Sequence, residues 1–211
     1  MPLNLEPFSR TFESDTKRTK IAECIERYAP NNLPPGTDLL DLGCGNGYGL
    51  TVLRQKYQLA GEIMGLTINR KERKAARSRS LKVMRGDMHA MPFRSRRFGF
   101  IFTQDTLEHS ISPYIALTEV NRVLKPGGLA LLSIPVDTDQ FDAWYHFWTP
   151  TSEQLTAFAR KCGFEIVNMQ RVFIVNGDFL VALICKIAEH DPQRVYEEAL
   201  EHQNEDGKHQ H

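Results

Sequence analysis

The chain has 211 residues, of which 41% are hydrophobic and 25% charged, and its formal net charge is zero. This length predicts one domain with one sizeable core, the composition is typical of globular proteins, and the charge balance gives little support to nucleic-acid binding. No apolar run approaches the ~20 residues of a membrane helix, and the acidic start lacks the apolar stretch of a signal peptide. We therefore expect a cytoplasmic protein without a membrane span.

The predicted elements alternate between helices and strands along most of the chain. An amphipathic helix over 16–29 ends before a group of prolines, and a short apolar strand at 38–42 then runs into glycines. The segments that follow are, in order, helix 49–56, strand 63–68, helix 70–79, strand 82–85, strand 98–103, helix 113–124, a turn at 125–128, strand 129–134 and helix 151–162. Two final apolar runs, 164–175 and 179–187, flank an Asn-Gly pair, which predicts a hairpin.

Alternating strands and helices predict an α/β fold with a mostly parallel sheet that has helices on both faces. The final hairpin is expected to add one antiparallel strand at the edge of that sheet. Ligands in such folds bind beyond the carboxyl ends of the strands, where the strand order reverses. We expect this unit to cover 37–188, preceded by an N-terminal helical cap over 1–36 and followed by a polar helix or tail over 189–211.

The charges are unevenly spread. Between Arg70 and Arg97 there are eleven lysines and arginines and two acids, and from Glu189 to the end there are seven acids and two basic residues. A basic stripe attracts phosphate groups. A solvated helix face and a polar tail explain the same pattern and are the favoured interpretation.

The cysteines give no sign of a metal site or of disulfides. Cys24, Cys44, Cys162 and Cys185 are far apart and form no Cys-x-x-Cys pair, which agrees with reduced thiols. The histidines His202, His209 and His211 belong to the polar tail, for which a tail without bound metal is favoured. No metal site is expected.

The first predicted strand ends in a glycine-rich loop, Asp38-Leu-Leu-Asp41-Leu-Gly43-Cys-Gly45-Asn-Gly47-Tyr-Gly49. Glycines let the backbone turn tightly and approach a ligand, and the N–H groups at the start of the next helix favour a negative group. The Gly-x-Gly-x-x-Gly pattern of dinucleotide sites occurs in no frame of this loop, which disfavours an NAD-dependent oxidoreductase. The pattern is instead Asp-x-Gly-x-Gly-x-Gly, which suits a ligand with a small carboxylate. A purely structural turn is the alternative.

The loop resembles motif I of the class I S-adenosylmethionine-dependent methyltransferases, in particular small-molecule members of the methyltransferase domain 11 type. Further segments resemble the family in the same order: 86–93 after strand three, 103–109 with its Leu-Glu-His stretch after strand four, 124–129 at the turn into strand five, and 162–164 at the start of strand six. The resemblance covers roughly 35–188. It implies a Rossmann-like, seven-stranded, mostly parallel sheet with a C-terminal antiparallel hairpin strand.

The resemblance implies S-adenosylmethionine as the cofactor and S-adenosylhomocysteine as the product. The glycine loop would surround the methionine moiety, the residues after strand three would bind the adenine, and the end of strand four would pass beneath the methionine. The residues with these implied roles are Asp41, Gly43, Cys44, Gly45 and Gly47 in the loop, Asp87 and Met88 after strand three, and Thr103 and Gln104 on strand four. For Asp87, whose carboxylate would accept the adenine amine, a simple turn residue is the alternative.

One position departs from the family pattern. Members usually carry an acid at the end of strand two for the ribose hydroxyls, whereas this chain has Thr67 there, and a hydroxyl is a weaker partner than a carboxylate. The segment resembles a variant of cyclopropane-synthase-like and related small-molecule methyltransferases, in which a threonine and the residue five positions later share the ribose. Here that residue is Glu72. The alternative is that Glu72 only offsets its basic neighbours.

Methyl transfer is an in-line displacement that depends mainly on orientation, so no fixed triad is expected. A general base is needed only when the acceptor starts protonated. His109 and His146 are the candidates for this catalytic role, with local packing as the alternative for His109. His146 lies in an aromatic stretch, 141–150, whose rings would either wall an apolar acceptor or pack in the core.

The acceptor signatures of the family are mostly absent. No Asn/Asp-Pro-Pro-Tyr/Phe stretch for nucleobase amines follows strand four, and no cysteine for covalent pyrimidine chemistry stands there. We therefore expect methyl transfer to a small-molecule acceptor. One alternative is an RNA- or tRNA-modifying methyltransferase that uses 70–97. Another is a non-catalytic S-adenosylmethionine-binding regulatory protein, because Thr67 departs from the family and Gly99 stands where an acid often opens strand four.

Overall fold

The computed structural model describes residues 15–136, 146–175 and 177–191. Within these ranges the helices are α1 (Asp15–Tyr28), α2 (Tyr48–Lys56), α3 (Arg70–Ser78), α4 (Pro113–Val123) and α5 (Ser152–Lys161), with a short 3₁₀ helix at Leu107–His109. The strands are β1 (Leu39–Leu42), β2 (Ile63–Thr67), β3 (Val83–Arg85), β4 (Phe98–Gln104), β5 (Leu124–Pro135), β6 (Phe164–Ile174) and β7 (Gly177–Lys186). The elements follow one another along the chain in the predicted order.

The described strands form one seven-stranded sheet in the order β3-β2-β1-β4-β5-β7-β6. β1 pairs in parallel with β2 and β4, and the pairs β2–β3 and β4–β5 are parallel as well. β7 runs antiparallel to both of its neighbours, β5 and β6. This sheet confirms the expected Rossmann-like fold, and its strand order reverses between β1 and β4.

The position of the antiparallel strand differs from the expectation. The hairpin pattern predicts this strand at the edge of the sheet, but β7 lies between β5 and β6, and β6 forms the edge. The character of the two strands explains the order. Phe179, Leu180, Val181 and Ala182 of β7 are buried, whereas β6 exposes residues along most of its length, as an edge strand does.

The predicted turn at 125–128 lies inside a strand. β5 begins at Leu124, which pairs with Phe98, and the next pair along the ladder is Leu129 with Phe100. The residues between them form a bulge, in which Gly127 has a left-handed φ of 72°. The glycines therefore provide the predicted change of direction, while the ladder continues on both sides of it.

The hydrophobic core lies on both faces of the sheet. Alternate residues of a strand point to opposite faces. Leu40 and Ile101 therefore pack with α4 and α5, whereas Leu39 and Phe100 pack with α1, α2 and α3. α1 is part of this second core, since two of its apolar residues, one of them Ile25, are fully buried.

No helix among the described residues is long and apolar enough to cross a membrane. Several predictions lie outside the described residues: those for the first 14 residues, for 137–145 with the aromatic residues Phe141, Trp144 and Tyr145, and for the tail from 192 onward with its three histidines. The division of the chain at 36 and at 188 stays a prediction.

Candidate functional site

The carboxyl ends of β1, β2 and β4 lie side by side. Leu42, the last residue of β1, pairs with Leu66 of β2 and with Thr103 of β4. Thr67 and Gln104, which end those strands, come directly after these partners. The loop after β1 therefore leaves the sheet between the ends of β2 and β4, at the reversal of strand order where α/β sheets bind ligands.

The glycine-rich loop has backbone conformations that favour glycine. Gly43, Gly45 and Gly47 have φ angles of 78°, 51° and 85°, in the left-handed region where a side chain costs energy. Space is limited as well. A Cβ on Gly43 would overlap the side chain of Thr106, and a Cβ on Gly47 would lie 2.6 Å from Cδ1 of Leu81. The loop itself therefore requires these glycines.

Two further glycines make room for side chains of the loop. A Cβ on Gly49, in the first turn of α2, would lie 2.5 Å from Oδ2 of Asp41, so this buried carboxylate lies against the start of the helix. The helix dipole stabilises negative charge there. A Cβ on Gly65 would overlap Sγ of Cys44, whose backbone N–H donates to the carbonyl of Leu66. Cys44 thus packs and hydrogen-bonds against β2.

The structure brings Thr67 and Glu72 together at the predicted spacing. Oγ1 of Thr67 donates to Oε2 of Glu72 at 2.9 Å. Asn69 holds this geometry, because its Oδ1 accepts hydrogen bonds from the backbone N–H groups of Lys71 and Glu72 and so caps the start of α3. A carboxylate is therefore present beside the end of β2, where the strand itself supplies only a hydroxyl.

Asp87, in the loop after β3, is held by His89. Oδ1 of Asp87 accepts the backbone N–H of His89 at 2.9 Å and lies 2.7 Å from Nδ1 of the same residue. The other ring nitrogen, Nε2, is 2.8 Å from Oγ of the fully buried Ser110. An imidazole with its proton on Nδ1 donates to Asp87 and accepts from Ser110. Sequence reasoning missed this link because Ser110 follows β4, far along the chain.

The end of β4 carries buried polar atoms that have no hydrogen-bond partner among the described residues. They are Oγ1 of Thr103 and both the amide oxygen and the amide nitrogen of Gln104. The two residues are 1% and 7% exposed. Buried polar groups are normally paired, so each exception needs an explanation. Polar groups of a molecule bound beside the glycine loop would provide one.

Glu108, His109 and His146 form a cluster beyond the end of β4. One ligating atom from each residue lies within 4.8 Å of the other two. Nε2 of His109 is 3.6 Å from Oε1 of Glu108, and the centroids of the two imidazoles are 5.0 Å apart. Backbone N–H groups of Phe147 and Trp148 donate to the carbonyl of Glu108 and hold His146 nearby. Both histidines are candidates from the sequence, whereas Glu108 is not.

Burial dominates the electrostatics of this cluster. Glu108 is 1% exposed. Its desolvation, together with the negative charge of Asp105, raises the pKa of its carboxyl well above the usual value. Burial lowers the pKa of His146, against the opposing effect of Asp105. The imidazole of His146 is therefore mostly neutral at neutral pH and able to accept a proton or to bind a metal ion.

The structure describes two rings of the predicted aromatic wall. Trp148 packs on Phe158, with ring centroids 5.6 Å apart, and borders a core cluster. Phe147 is exposed. Core packing is therefore the observed role of Trp148.

The first part of the basic stretch forms an exposed face of α3. An open groove of about 470 Å³ runs along this face, lined by Arg70, Arg73, Lys74, Arg77 and Ser78. None of these residues belongs to the loop after β1 or to the histidine cluster formed by Glu108, His109 and His146. The charges of this helix are therefore arranged as a solvated face, as the sequence predicts for part of the basic stretch.

Residues 40–132 match the sequence model of a methyltransferase domain. Over this stretch, which is less than half of the chain, the sequence is similar to a methyltransferase domain. The match runs from β1 into β5, so it includes the glycine loop, the Thr67–Glu72 pair, Asp87 and the end of β4. S-adenosylmethionine is the cofactor of this family.

Two curated relatives match part of this chain in sequence. Over 139 residues the chain is 32% identical to an uncharacterised 37.1 kDa protein of transposon TN4556 from Streptomyces fradiae. Over 137 residues it is 27% identical to a demethylmenaquinone methyltransferase from Staphylococcus aureus. The matches cover 64% and 60% of this chain but only 39% and 57% of the relatives' own lengths.

A solved structure has the same fold as the methyltransferase domain. A protein from Haloferax volcanii, solved in complex with the Trm112 methyltransferase activator, matches with a TM-score of 0.72 at 17% sequence identity. The match covers 82% of this chain and 91% of that one. At this level of identity the likeness establishes the fold.

Proposed function

We propose that this chain transfers a methyl group from S-adenosylmethionine to a small-molecule acceptor. The observation that carries the proposal is a convergence at the carboxyl ends of β1, β2 and β4. The left-handed glycine loop, the Thr67–Glu72 pair and the buried polar atoms of Thr103 and Gln104 meet there. Together they offer a partner for the methionine part and for the ribose of the cofactor.

The methionine part of the cofactor fits the loop after β1. The backbone of Gly43, Gly45 and Gly47 would surround its carboxylate, since no side chain intervenes. Asp41 would order the loop from its position against the start of α2. Thr103 and Gln104 would receive the hydrogen-bond partners that their buried atoms lack among the described residues. Cys44, although predicted as a cofactor contact, would act by packing the loop against Gly65.

The ribose and the adenine would be held by side chains from two neighbouring loops. Glu72 would accept the ribose hydroxyls with Thr67 beside it, as a charged and therefore stronger acceptor. Asp87 uses Oδ1 in its contacts with His89, and Oδ2 would accept the adenine amine. The backbone N–H of Met88 would donate to a ring nitrogen. In this arrangement His89 orients the carboxylate of Asp87.

The chemistry that the cofactor supplies is an electrophilic methyl group on a sulfonium sulfur. The residues of this chain would align the methyl group with the acceptor and exclude water, which is the main source of acceleration in such a displacement. For an acceptor that starts protonated, His109 and His146 are the side chains that would take the proton. The lowered pKa of His146 keeps that imidazole neutral for this purpose.

A small-molecule acceptor is favoured over RNA. The relative from Staphylococcus aureus is named for its action on demethylmenaquinone, a small molecule. The basic groove of α3 is lined by residues that do not belong to the loop after β1 or to the histidine cluster. An RNA- or tRNA-modifying methyltransferase is the second candidate, and salt-sensitive binding of RNA would favour it.

The non-catalytic alternative depends on Thr67 and Gly99, and the structure weakens both grounds. Thr67 has Glu72 as its partner. Gly99 lies near the start of β4, at the opposite end of the strand from the site, and a Cβ there would lie 2.6 Å from Cγ2 of Thr37. A side chain at this position would therefore require Thr37 to shift, at a place remote from the site.

Calorimetric titration with S-adenosylmethionine, S-adenosylhomocysteine and NAD tests the proposed cofactor. We expect both adenosyl ligands to bind more tightly than NAD. Gly45→Val places a branched side chain at a left-handed position of the loop and should weaken binding at least about tenfold, or about 1.4 kcal/mol. Gly127→Val is the matched control, since Gly127 has a φ of 72° but lies in the β5 bulge with no atom within 4 Å of its Cβ position.

Preferential binding of NAD would contradict the proposed site. So would an equal loss of affinity for S-adenosylmethionine in Gly45→Val and Gly127→Val, provided that both variants are folded. Transfer of a labelled methyl group then identifies the acceptor. Label that enters small-molecule fractions supports the proposal, and label that enters RNA supports the second candidate.

A further inference from the structure

The cluster of Glu108, His109 and His146 has the spacing of a divalent-metal site. The three ligating atoms lie within 4.8 Å of one another, and Oε1 of Glu108 is 3.6 Å from Nε2 of His109. In a tetrahedral zinc site with bonds of about 2.1 Å, neighbouring ligand atoms are about 3.4 Å apart. Small side-chain rotations therefore suffice to bring the three atoms around one ion.

The donor set of the cluster is that of a catalytic zinc site. Two imidazoles and one carboxylate bind zinc in known enzymes and leave the fourth tetrahedral position open, whereas structural sites use four protein ligands. Imidazole nitrogen also favours zinc over magnesium and calcium. Within the ranges that the structure describes, no other three His, Cys, Asp or Glu residues come together this closely.

The surroundings of Glu108 favour a cation as well. Its Oε2 is buried and lacks a hydrogen-bond partner among the described residues. Asp105 lies close enough for its negative charge to act on both Glu108 and His146. Lys17 of α1 acts on Glu108 in the opposite sense, as a smaller effect than Asp105. A buried carboxyl is either protonated or paired with a positive charge, and a divalent ion in place of the proton would provide that pairing.

We propose that Glu108, His109 and His146 bind a divalent cation of the zinc type, with one coordination position open for the acceptor. The sequence by itself predicts no metal site, because the ligands come from two segments that are distant along the chain. The backbone hydrogen bonds of Phe147 and Trp148 to Glu108 bring these segments together.

The consequence for the substrate rests on the proposed methyltransferase function. A cation of this type lowers the pKa of a bound hydroxyl, so the site selects an acceptor whose reacting atom is a hydroxyl oxygen. The acceptor O–H bond breaks, and the proton passes to solvent. An oxygen lone pair forms the new O–CH₃ bond, while the electron pair of the broken C–S bond stays on sulfur. With the metal bound, His109 and His146 act as ligands, and this role replaces the role of proton acceptor that they would have in a metal-free site.

Calorimetric titration with Zn²⁺ alone tests metal binding without cofactor or acceptor. The protein is the full chain with His202→Gln, His209→Gln and His211→Gln, which removes the competing imidazoles of the tail. We expect one bound ion per chain, and Co²⁺ in its place should show the visible absorption of a tetrahedral site. His109→Gln, His146→Gln and Glu108→Gln should each weaken binding of Zn²⁺ at least about tenfold.

His190→Gln is the matched control, because His190 contacts Tyr114 and the carbonyl of Lys161 away from the cluster. It should leave the affinity for Zn²⁺ unchanged. Circular dichroism of each variant establishes that it is folded. Absence of a bound ion in the tail-substituted protein, or equal affinity in cluster and control variants, overturns the metal site.

The outcomes also separate this inference from the proposed function. Binding of Zn²⁺ without binding of S-adenosylmethionine would support the metal site and contradict the proposed function. Binding of S-adenosylmethionine without binding of Zn²⁺ would support the proposed function and contradict the metal site. Once the labelled-methyl screen has identified the acceptor, chelation of the metal should abolish its methylation. Unchanged transfer after chelation, or a methylated atom other than oxygen, would overturn the substrate class.

Discussion

Thr67 stands where the family pattern has an acid, and a carboxylate from the neighbouring helix lies beside its hydroxyl. Its hydroxyl donates to Glu72, whose backbone N–H is in turn held by Asn69. The five-residue spacing places Glu72 in the first turn of α3, beside the end of β2. A carboxylate is thereby present at this strand end although β2 itself carries none.

Glu72→Gln should weaken the binding of S-adenosylmethionine about ten- to a hundredfold, because a hydrogen bond to a charged group contributes about 1.5–3 kcal/mol. Titration calorimetry measures the change. Lys74→Gln, an exposed position on the same helix, is the control and should have no effect. If the affinity of Glu72→Gln equals that of the wild type, Glu72 only offsets its basic neighbours, and the ribose assignment is wrong.

Among the elements, α4 supports the loop that carries Asp87. Oε2 of Glu119 accepts the backbone N–H of Met91 at 2.6 Å. Arg122, one turn further along α4, donates to Glu119 and to the carbonyls of Met91 and Phe93. The loop is therefore attached both to β3, which precedes it, and to α4, which packs beside it.

Glu119→Gln should lower the free energy of unfolding by about 2 kcal/mol at neutral pH. Burial raises the pKa of Glu119, but hydrogen bonds from Arg122 and Met91 and the charge of Arg122 outweigh burial, so the folded pKa is lowered. Such a carboxyl stabilises the fold above its unfolded pKa of about 4.3, and this contribution is lost as the pH falls through the folded value.

Urea unfolding at a series of acidic pH values measures this effect. The loss of stability on acidification should be smaller in Glu119→Gln than in the wild type. Glu165→Gln, exposed on β6, is the control and should follow the wild type. If the free energy of unfolding falls equally with pH in Glu119→Gln and in the wild type, the contact of Glu119 with Arg122 does not stabilise the loop.

For the molecule as a whole, Lys186 joins elements at the end of the sheet opposite the site. Its side chain is buried, and Nζ donates to the carbonyls of Asn121 and Leu124 and to Oε2 of Glu189, at 2.8, 3.0 and 2.8 Å. Asn121 in turn donates to the carbonyls that follow α5 and β7. One lysine and one asparagine thus connect α4, α5, β5 and β7.

Lys186→Met should lower the free energy of unfolding by about 3 kcal/mol, because two buried carbonyls lose a charged donor. Urea unfolding measures the loss. Lys161→Met, exposed on α5, is the control and should change stability by less than about 0.5 kcal/mol. Because Lys186 is remote from the site, the folded variant should bind S-adenosylmethionine as the wild type does. A loss no larger than that of the control would show that these bonds do not hold the elements together.

The sequence by itself determined the order and type of the elements and the glycine loop, and its resemblance to a family variant singled out Thr67 and Glu72, which are in contact. These features depend on residues that are close along the chain. Side-chain periodicity reports which face of a helix or strand is buried, and a left-handed turn requires glycine at that position. The contact of Thr67 with Glu72 was predictable because one strand end and one helix turn contain both residues.

Only the tertiary structure decided which distant side chains meet. It placed β7 inside the sheet and β6 at the edge, since burial of the more apolar strand is favoured over its position in the hairpin. It also joined His89 to Ser110, and Glu108 to His146. The physical reason is that such contacts follow from the packing and backbone pairing of segments far apart in the chain, which no local pattern of residues records.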